Sequence, residues 1–165
     1  MTERTCVSVD KMYLVGFSGG GRLASQVACS HVAPFRGLVG VAGLRYFEHC
    51  DTFRALHVLG FHGTGDSVNP YSGGGPDYWN ESVEDTGFTW AIHNGCNWPS
   101  PLEDRTAEDV ESVTYPGCWD GRTVKLYRVI DGGHTWPGHE HASAELGHTT
   151  RSIDATKIIL DELSL

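Results

Sequence analysis

Three side chains have the types needed for a proton-relayed nucleophilic attack, and they follow one another in the order Ser18, Asp66 and His134. A serine hydroxyl is a weak nucleophile until a neighbouring imidazole takes its proton. A carboxylate on the far ring nitrogen then fixes the tautomer and steadies the imidazolium that forms. Directed at a carbonyl, that arrangement performs acyl transfer through a covalent acyl-serine. Ser18 lies in Gly16-Phe17-Ser18-Gly19-Gly20, where flanking glycines let a strand and a helix approach around a sharp turn. The backbone N–H of Gly19 is placed to receive negative charge developing on the carbonyl oxygen. A lone Asp after glycine is ordinarily a turn former, and a lone loop His is ordinarily a solvated surface group. The selective feature is that all three occur together. Two other readings of the glycine segment are open. One is a plain Gly/Ser turn. The other is a phosphate loop, G-x-x-x-x-G from Gly16 to Gly21, but Arg22 and Leu23 follow where that motif needs Lys and then Ser or Thr.

The elements that must hold these groups can be read from apolar runs. Met12 to Val15 is a short buried-strand segment, and Leu23, Ala24, Val27 and Ala28 after the glycines recur at helical spacing. Ala55 to His62 is another apolar strand, ending in Gly63-Thr64-Gly65-Asp66. Val124 to Ile130 is a further one, ending in Asp131-Gly132-Gly133-His134. The pattern predicts strands near 11–17, 37–43, 55–62 and 124–130, and helices near 19–31, 81–94 and 151–163. Serine, acid and histidine then each sit just past the carboxyl end of a strand, the edge at which open α/β sheets build their sites. The polar, proline-containing stretch from Asn97 to Glu111 reads as an excursion loop.

Composition narrows the partners. The formal net charge of −9 argues against nucleic acid and against an anionic membrane surface. No apolar run approaches the roughly 18 residues of a membrane span. Met1 to Lys11 has no hydrophobic region of the kind found in a signal peptide. His134, His139 and His141 lie close together, but proline and glycine place them on a loop. No carboxylate or cysteine completes a tetrahedral set, so neither a metal nor another cofactor is expected. None of the five cysteines forms a C-x-x-C pair.

The segments GFSGG, FHGTGDSVNPYSGG, NGC, and GC followed by VKLYRVIDGGHTWPG, together with TTRSIDATKIILDEL, resemble the polyhydroxybutyrate depolymerase and feruloyl esterase family. This is a group of secreted α/β-hydrolases classed with the carbohydrate esterases of family 1. The resemblance runs from about Cys6 to near the end, and GGHTWPG is its most specific part. It implies a three-layer αβα hydrolase fold, with Ser18 as nucleophile, Asp66 as the acid, His134 as general base and the Gly19 amide as an oxyanion donor. It also implies an ester substrate, small or polymeric. Feruloyl esters of plant cell-wall polysaccharide rank first and polyhydroxyalkanoate second. Gly19 stands where the family often has Asn, and the segment Gly73 to Asn80 is less typical of it. Among Phe61, Tyr71, Trp79, Trp98, Trp119 and Trp136, Trp136 is the candidate to contact a phenolic acyl group, being two residues from His134.

By the same resemblance the four expected strands correspond to the fifth to eighth of the hydrolase sheet. Residues 1–165 are therefore expected to be a single partial catalytic domain, a C-terminal portion whose partner is an N-terminal half with the second oxyanion donor. A non-catalytic fragment is the alternative from another class. The resemblance supports a disulfide between Cys96 and Cys118, which bracket the polar excursion. Cys29 and Cys50 are a second candidate pair, leaving Cys6 over. Five cysteines and the family both point to an oxidising, secreted setting.

Overall fold

The apolar runs around the glycine turns become four parallel strands. The computed structural model describes residues 8, 11–30, 33–50, 54–97, 101–140 and 143–163. Its elements are β1 (Tyr13–Phe17), α1 (Gly19–Ala28), β2 (Gly37–Val41), β3 (His57–Gly63), α2 (Val83–His93), β4 (Leu102–Ala107), β5 (Val110–Tyr115), β6 (Val124–Val129) and α3 (Ala155–Glu162). They form one sheet in the order β1-β2-β3-β6-β5-β4. The first four strands in that order run parallel, and β5 and β4 continue the sheet antiparallel.

Strand alternation sorts the core onto two faces. Leu38, Val58 and Leu126 point with Ala24, Ala28 and Trp90 toward α1 and α2. Their chain neighbours Val39, Leu59 and Tyr127 point the other way, with Phe61, Val129, Ala155 and Ile159, under α3. Phe61 and Tyr127 are register partners and stack with centroids 4.6 Å apart. A sheet covered by helices on both sides is an α/β fold, and it accounts for strands apolar at nearly every position. Helices α2 and α3 are capped by Ser82 and Asp154, whose side chains accept from the Asp85 and Lys157 amides. Helix α1 has no side-chain cap; its N-cap is Ser18.

Two expectations need correction. Among the described residues the sheet has six strands, not four, and is mixed rather than wholly parallel. The stretch 97–111, expected as an excursion loop, contains β4 and the start of β5, a hairpin on the far edge of the sheet. Only Ala107 of β4 is better than exposed, so that strand shows no apolar alternation to read. Its backbone ladder to β5 holds it, and Glu103, Asp104 and Arg105 put charge on an edge that would otherwise template unwanted pairing. Strand β5 feeds both faces: Val110 pairs with Val129 in the cluster under α3, and Val113 pairs with Leu126 in the cluster under α1 and α2.

Cys29 is bonded to Cys50, and Cys96 to Cys118. The first tie fastens the end of α1 to the loop after β2; the second fastens the end of α2 to the chain leading into β6. Cys6, Trp98 and His141 lie outside the described residues. Among the described residues no helix is long and apolar enough to cross a membrane.

Candidate active site

Each of the three sequence-identified groups emerges from the carboxyl edge of the parallel strands. Ser18 follows β1 directly and opens α1 with φ 52° and ψ −120°, an uncommon backbone state for a residue with a Cβ. The surroundings over-determine it. Its N–H donates to the Val41 carbonyl at 2.8 Å, and its carbonyl accepts from Gly21 and Arg22 at 3.0 and 3.1 Å. Gly16 and Gly43 make the turn possible: a methyl at Gly16 would collide with the Gly20 carbonyl, and one at Gly43 with the Ser18 carbonyl. Gly19 is the first residue of α1, so its N–H has no carbonyl within the helix to bond and lies beside the Ser18 hydroxyl at the positive end of the helix dipole.

Asp66 ends the turn after β3 and is buried. Its Oδ1 accepts from the amides of Val68 and Asn69, both at 2.8 Å. Its Oδ2 accepts from His134 Nδ1 at 2.8 Å. Burial alone would raise the Asp66 pKa. Hydrogen bonds from His134, His62 and the Asn69 amide outweigh it and hold the carboxyl well below its ordinary value. Asp66 is therefore an ionised acceptor, which puts the ring proton of His134 on Nδ1 and leaves Nε2 as the acceptor.

His134 is also buried, on the turn after β6. Its own amide bonds the Leu146 carbonyl at 2.7 Å, and the Gly133 amide bonds the His148 carbonyl at 2.8 Å. Its Nε2 accepts from Ser18 Oγ at 2.8 Å. The row Asp66–His134–Ser18 is thus continuous across residues 116 positions apart in sequence. The Phe17 ring lies 5.1 Å from the imidazole and limits its tilt from the open side.

Trp136 is half-buried beside this row, with its Nε1 donating to Thr156 Oγ1 at 3.1 Å. With Phe17, His134, His139, Ser143 and Leu146 it lines a largely apolar cleft of 440 Å³. Of the other aromatics considered from sequence, Phe61, Tyr71, Trp79 and Trp119 do not line this cleft. Phe61 and Trp79 are fully buried, and Trp119 is exposed and lies against Gly95. Sequence reasoning missed Phe17 as a wall of the cleft and His62 as a second imidazole on Asp66, 3.2 Å from Oδ2. The signal for His62 was its spacing: a histidine four residues before the acid, across a two-glycine turn, can fold back onto it.

Serine, histidine and carboxylate in one hydrogen-bonded row at the carboxyl edge of an α/β sheet can relay the serine proton and so activate its oxygen toward a carbonyl carbon. Comparison with known proteins finds the chain related in sequence to proteins named as esterases. It is 34% identical to the probable feruloyl esterase C of Aspergillus niger, over 79% of this chain and 50% of the relative. It is 26% identical to feruloyl esterase B of Piromyces equi, over 81% of this chain and 26% of the relative. It is also 26% identical to NocK of Nocardia uniformis subsp. tsuyamanensis, an esterase by assignment, over 99% of this chain and 54% of the relative. No family model matches the chain. The chain spans about half the length of these curated relatives, or less.

Proposed function

We propose that this chain carries the catalytic residues of a serine ester hydrolase, with Ser18 as nucleophile, His134 as general base and acid, and Asp66 as the carboxylate partner of His134. The observation that carries the reading is the unbroken row of 2.8 Å hydrogen bonds ending on a serine held at positive φ. Ser18 Oγ attacks the ester carbonyl while its proton passes to His134 Nε2. Asp66 stabilises the resulting imidazolium. The developing oxyanion faces the Gly19 N–H, and such a donor contributes most when charge peaks on that oxygen. His134 then returns the proton to the departing alkoxide. Water attacks the acyl-serine by the same path in reverse roles.

The substrate we assign is a hydroxycinnamoyl ester of the feruloyl type. The cleft beside His134 has a volume suited to one aromatic acyl group, and Trp136 and Phe17 offer it flat apolar faces. Relatives named feruloyl esterase support the same choice. The two disulfides fit work in an oxidising, extracellular setting.

A fluorophosphonate probe tests the mechanism. It should label Ser18, and Ser18→Ala should abolish labelling; a label that persists on another serine, or a wild-type chain that takes none, refutes the assignment. Methyl ferulate hydrolysis against release of hydroxybutyrate from a short polyester tests the substrate. Faster hydroxybutyrate release would replace the feruloyl reading with a polyhydroxyalkanoate one.

A further inference from the structure

We propose that His62 is a positioning residue for Asp66: its Nε2–H takes the second acceptor site on Asp66 Oδ2 and holds the carboxylate in the orientation from which it binds His134. The inference rests on the functional reading above. An ionised carboxylate offers about four lone-pair sites; here three donors bond it, and the single His62 Nε2–H, bonded to the Asn69 carbonyl at 2.8 Å, is shared with Oδ2 at 3.2 Å. Val68 and Asn69 amides bond Oδ1 at 2.8 Å each, and His134 Nδ1 and His62 Nε2 approach Oδ2 at 2.8 and 3.2 Å. Two amides on one oxygen fix where that oxygen lies but leave the group free to pivot about it. The pair of imidazoles on the other oxygen removes that freedom.

The protonation of His62 follows from its partners. Nε2 also lies 2.8 Å from the Asn69 carbonyl, and both neighbours accept only, so Nε2 carries the proton. The ring is not free to leave. Its side chain is 2% exposed and that of Asp66 0%. The ring stacks on Trp79 with centroids 5.4 Å apart and meets the edge of Tyr71 at 6.0 Å. Trp79 is itself anchored, its Nε1 donating to the Pro70 carbonyl at 2.7 Å, with the Arg45 guanidinium 4.8 Å above its ring. The otherwise unassigned segment Gly73 to Asn80 thereby gains a role, because it delivers the tryptophan that backs His62. Two features of one loop, its carbonyl at Asn69 and its ring at Trp79, fix the imidazole that in turn fixes the acid.

The test separates hydrogen-bond donation from packing. His62→Gln replaces the ring by an amide that can donate from about the position of Nε2. His62→Phe keeps the ring against Trp79 and removes the donor, and His62→Met removes the donor with a flexible apolar chain that fills the space if the phenylalanine variant does not fold. Steady-state hydrolysis of a small aryl ester by the 165-residue chain should show His62→Gln within about fivefold of wild type in kcat. The donor-less variants should fall by about 10–100-fold with KM little changed, the scale of a small misplacement of a catalytic group. The hydrogen-bonded His134 Nδ1 proton, followed by NMR, should persist in wild type and His62→Gln and vanish in the donor-less variants. The reverse ranking, with the phenylalanine variant active and the glutamine variant impaired, would make His62 a packing residue and overturn the proposal, as would unchanged kcat and proton signal in every variant. If the NMR pattern holds in a chain that hydrolyses no ester, the functional reading fails and the positioning role stands.

Discussion

Replacing Asp66 by asparagine leaves the volume of the site unchanged and reverses one row of hydrogen bonds. The new side-chain oxygen can keep the two amide bonds from Val68 and Asn69. Its NH2 group then occupies the place of Oδ2, to which His134 Nδ1–H donates at 2.8 Å and near which the His62 Nε2–H lies at 3.2 Å. Donor faces donor. His62 keeps its bond to the Asn69 carbonyl at 2.8 Å, but His134 is relieved only by moving its proton to Nε2, which then donates to Ser18 Oγ and can no longer accept from it. Asp66→Asn should therefore lower kcat by about 10⁴, the effect of a wrong tautomer in such a relay, or roughly 5 kcal/mol of transition-state stabilisation. KM for a small ester should change little, because Asp66 is buried behind the imidazole. Fluorophosphonate labelling should slow in parallel, since it uses the same proton transfer. A second readout concerns acid. The native carboxyl is held below its ordinary value of 3.8, so the native state binds fewer protons than the unfolded chain in that range. The stability this contributes is complete above about pH 4 and drains as pH falls toward the depressed native value. Thermal midpoints of the wild type should thus drop below about pH 4 more steeply than those of Asp66→Asn. A variant within tenfold of wild-type kcat, or with the same acid slope, would refute the placement of an ionised Asp66 behind His134.

Gly16→Ala should abolish labelling of Ser18, because its methyl meets the Gly20 carbonyl, while Gly20→Ala, which meets nothing within 4 Å, should be labelled normally; equal behaviour of the two would refute the close strand–helix approach. Trp90→Ala, at a fully buried ring whose Nε1 bonds the Arg45 carbonyl, should lose about 3–5 kcal/mol in denaturant titration, and a loss under about 1 kcal/mol would contradict its place in the core. Non-reducing peptide mapping should recover the Cys96–Cys118 crosslink, and the double serine variant should lose on the order of 3 kcal/mol for a loop of that length; two free thiols would remove that bond. Among the described residues β1 has a strand on one side only, with Val15 and Phe17 partly exposed, so the chain should self-associate in sedimentation and Val15→Lys should reduce it; a monodisperse wild type at high concentration would count against an open apolar edge.

What sequence alone determined is the set of features whose physics is local or periodic. Largely apolar runs such as Gly37–Val41 and His57–Gly63 read as buried strands because parallel strands are covered on both faces. The glycines around Ser18 were legible because a tight strand-to-helix turn admits nothing larger. Asp66 and His134 stood out because each follows a strand into a glycine turn, and chain order did the rest. Features set by distant contacts were not legible. Strand β4 has no apolar face, and its place at the sheet edge comes from backbone pairing with β5, which leaves no trace in residue type. Phe17 reads as one more strand residue until the turn after β6 brings His134 over the end of β1 and the two rings meet. His62 reads as the last residue of an apolar run, and only the fold of the loop from Asp66 to Trp79 turns its Nε2 onto the carboxylate. The chemistry was written in residue types and spacing. The aim of each group was decided in three dimensions, because a hydrogen bond depends on direction and distance between atoms that the chain order separates by more than a hundred residues.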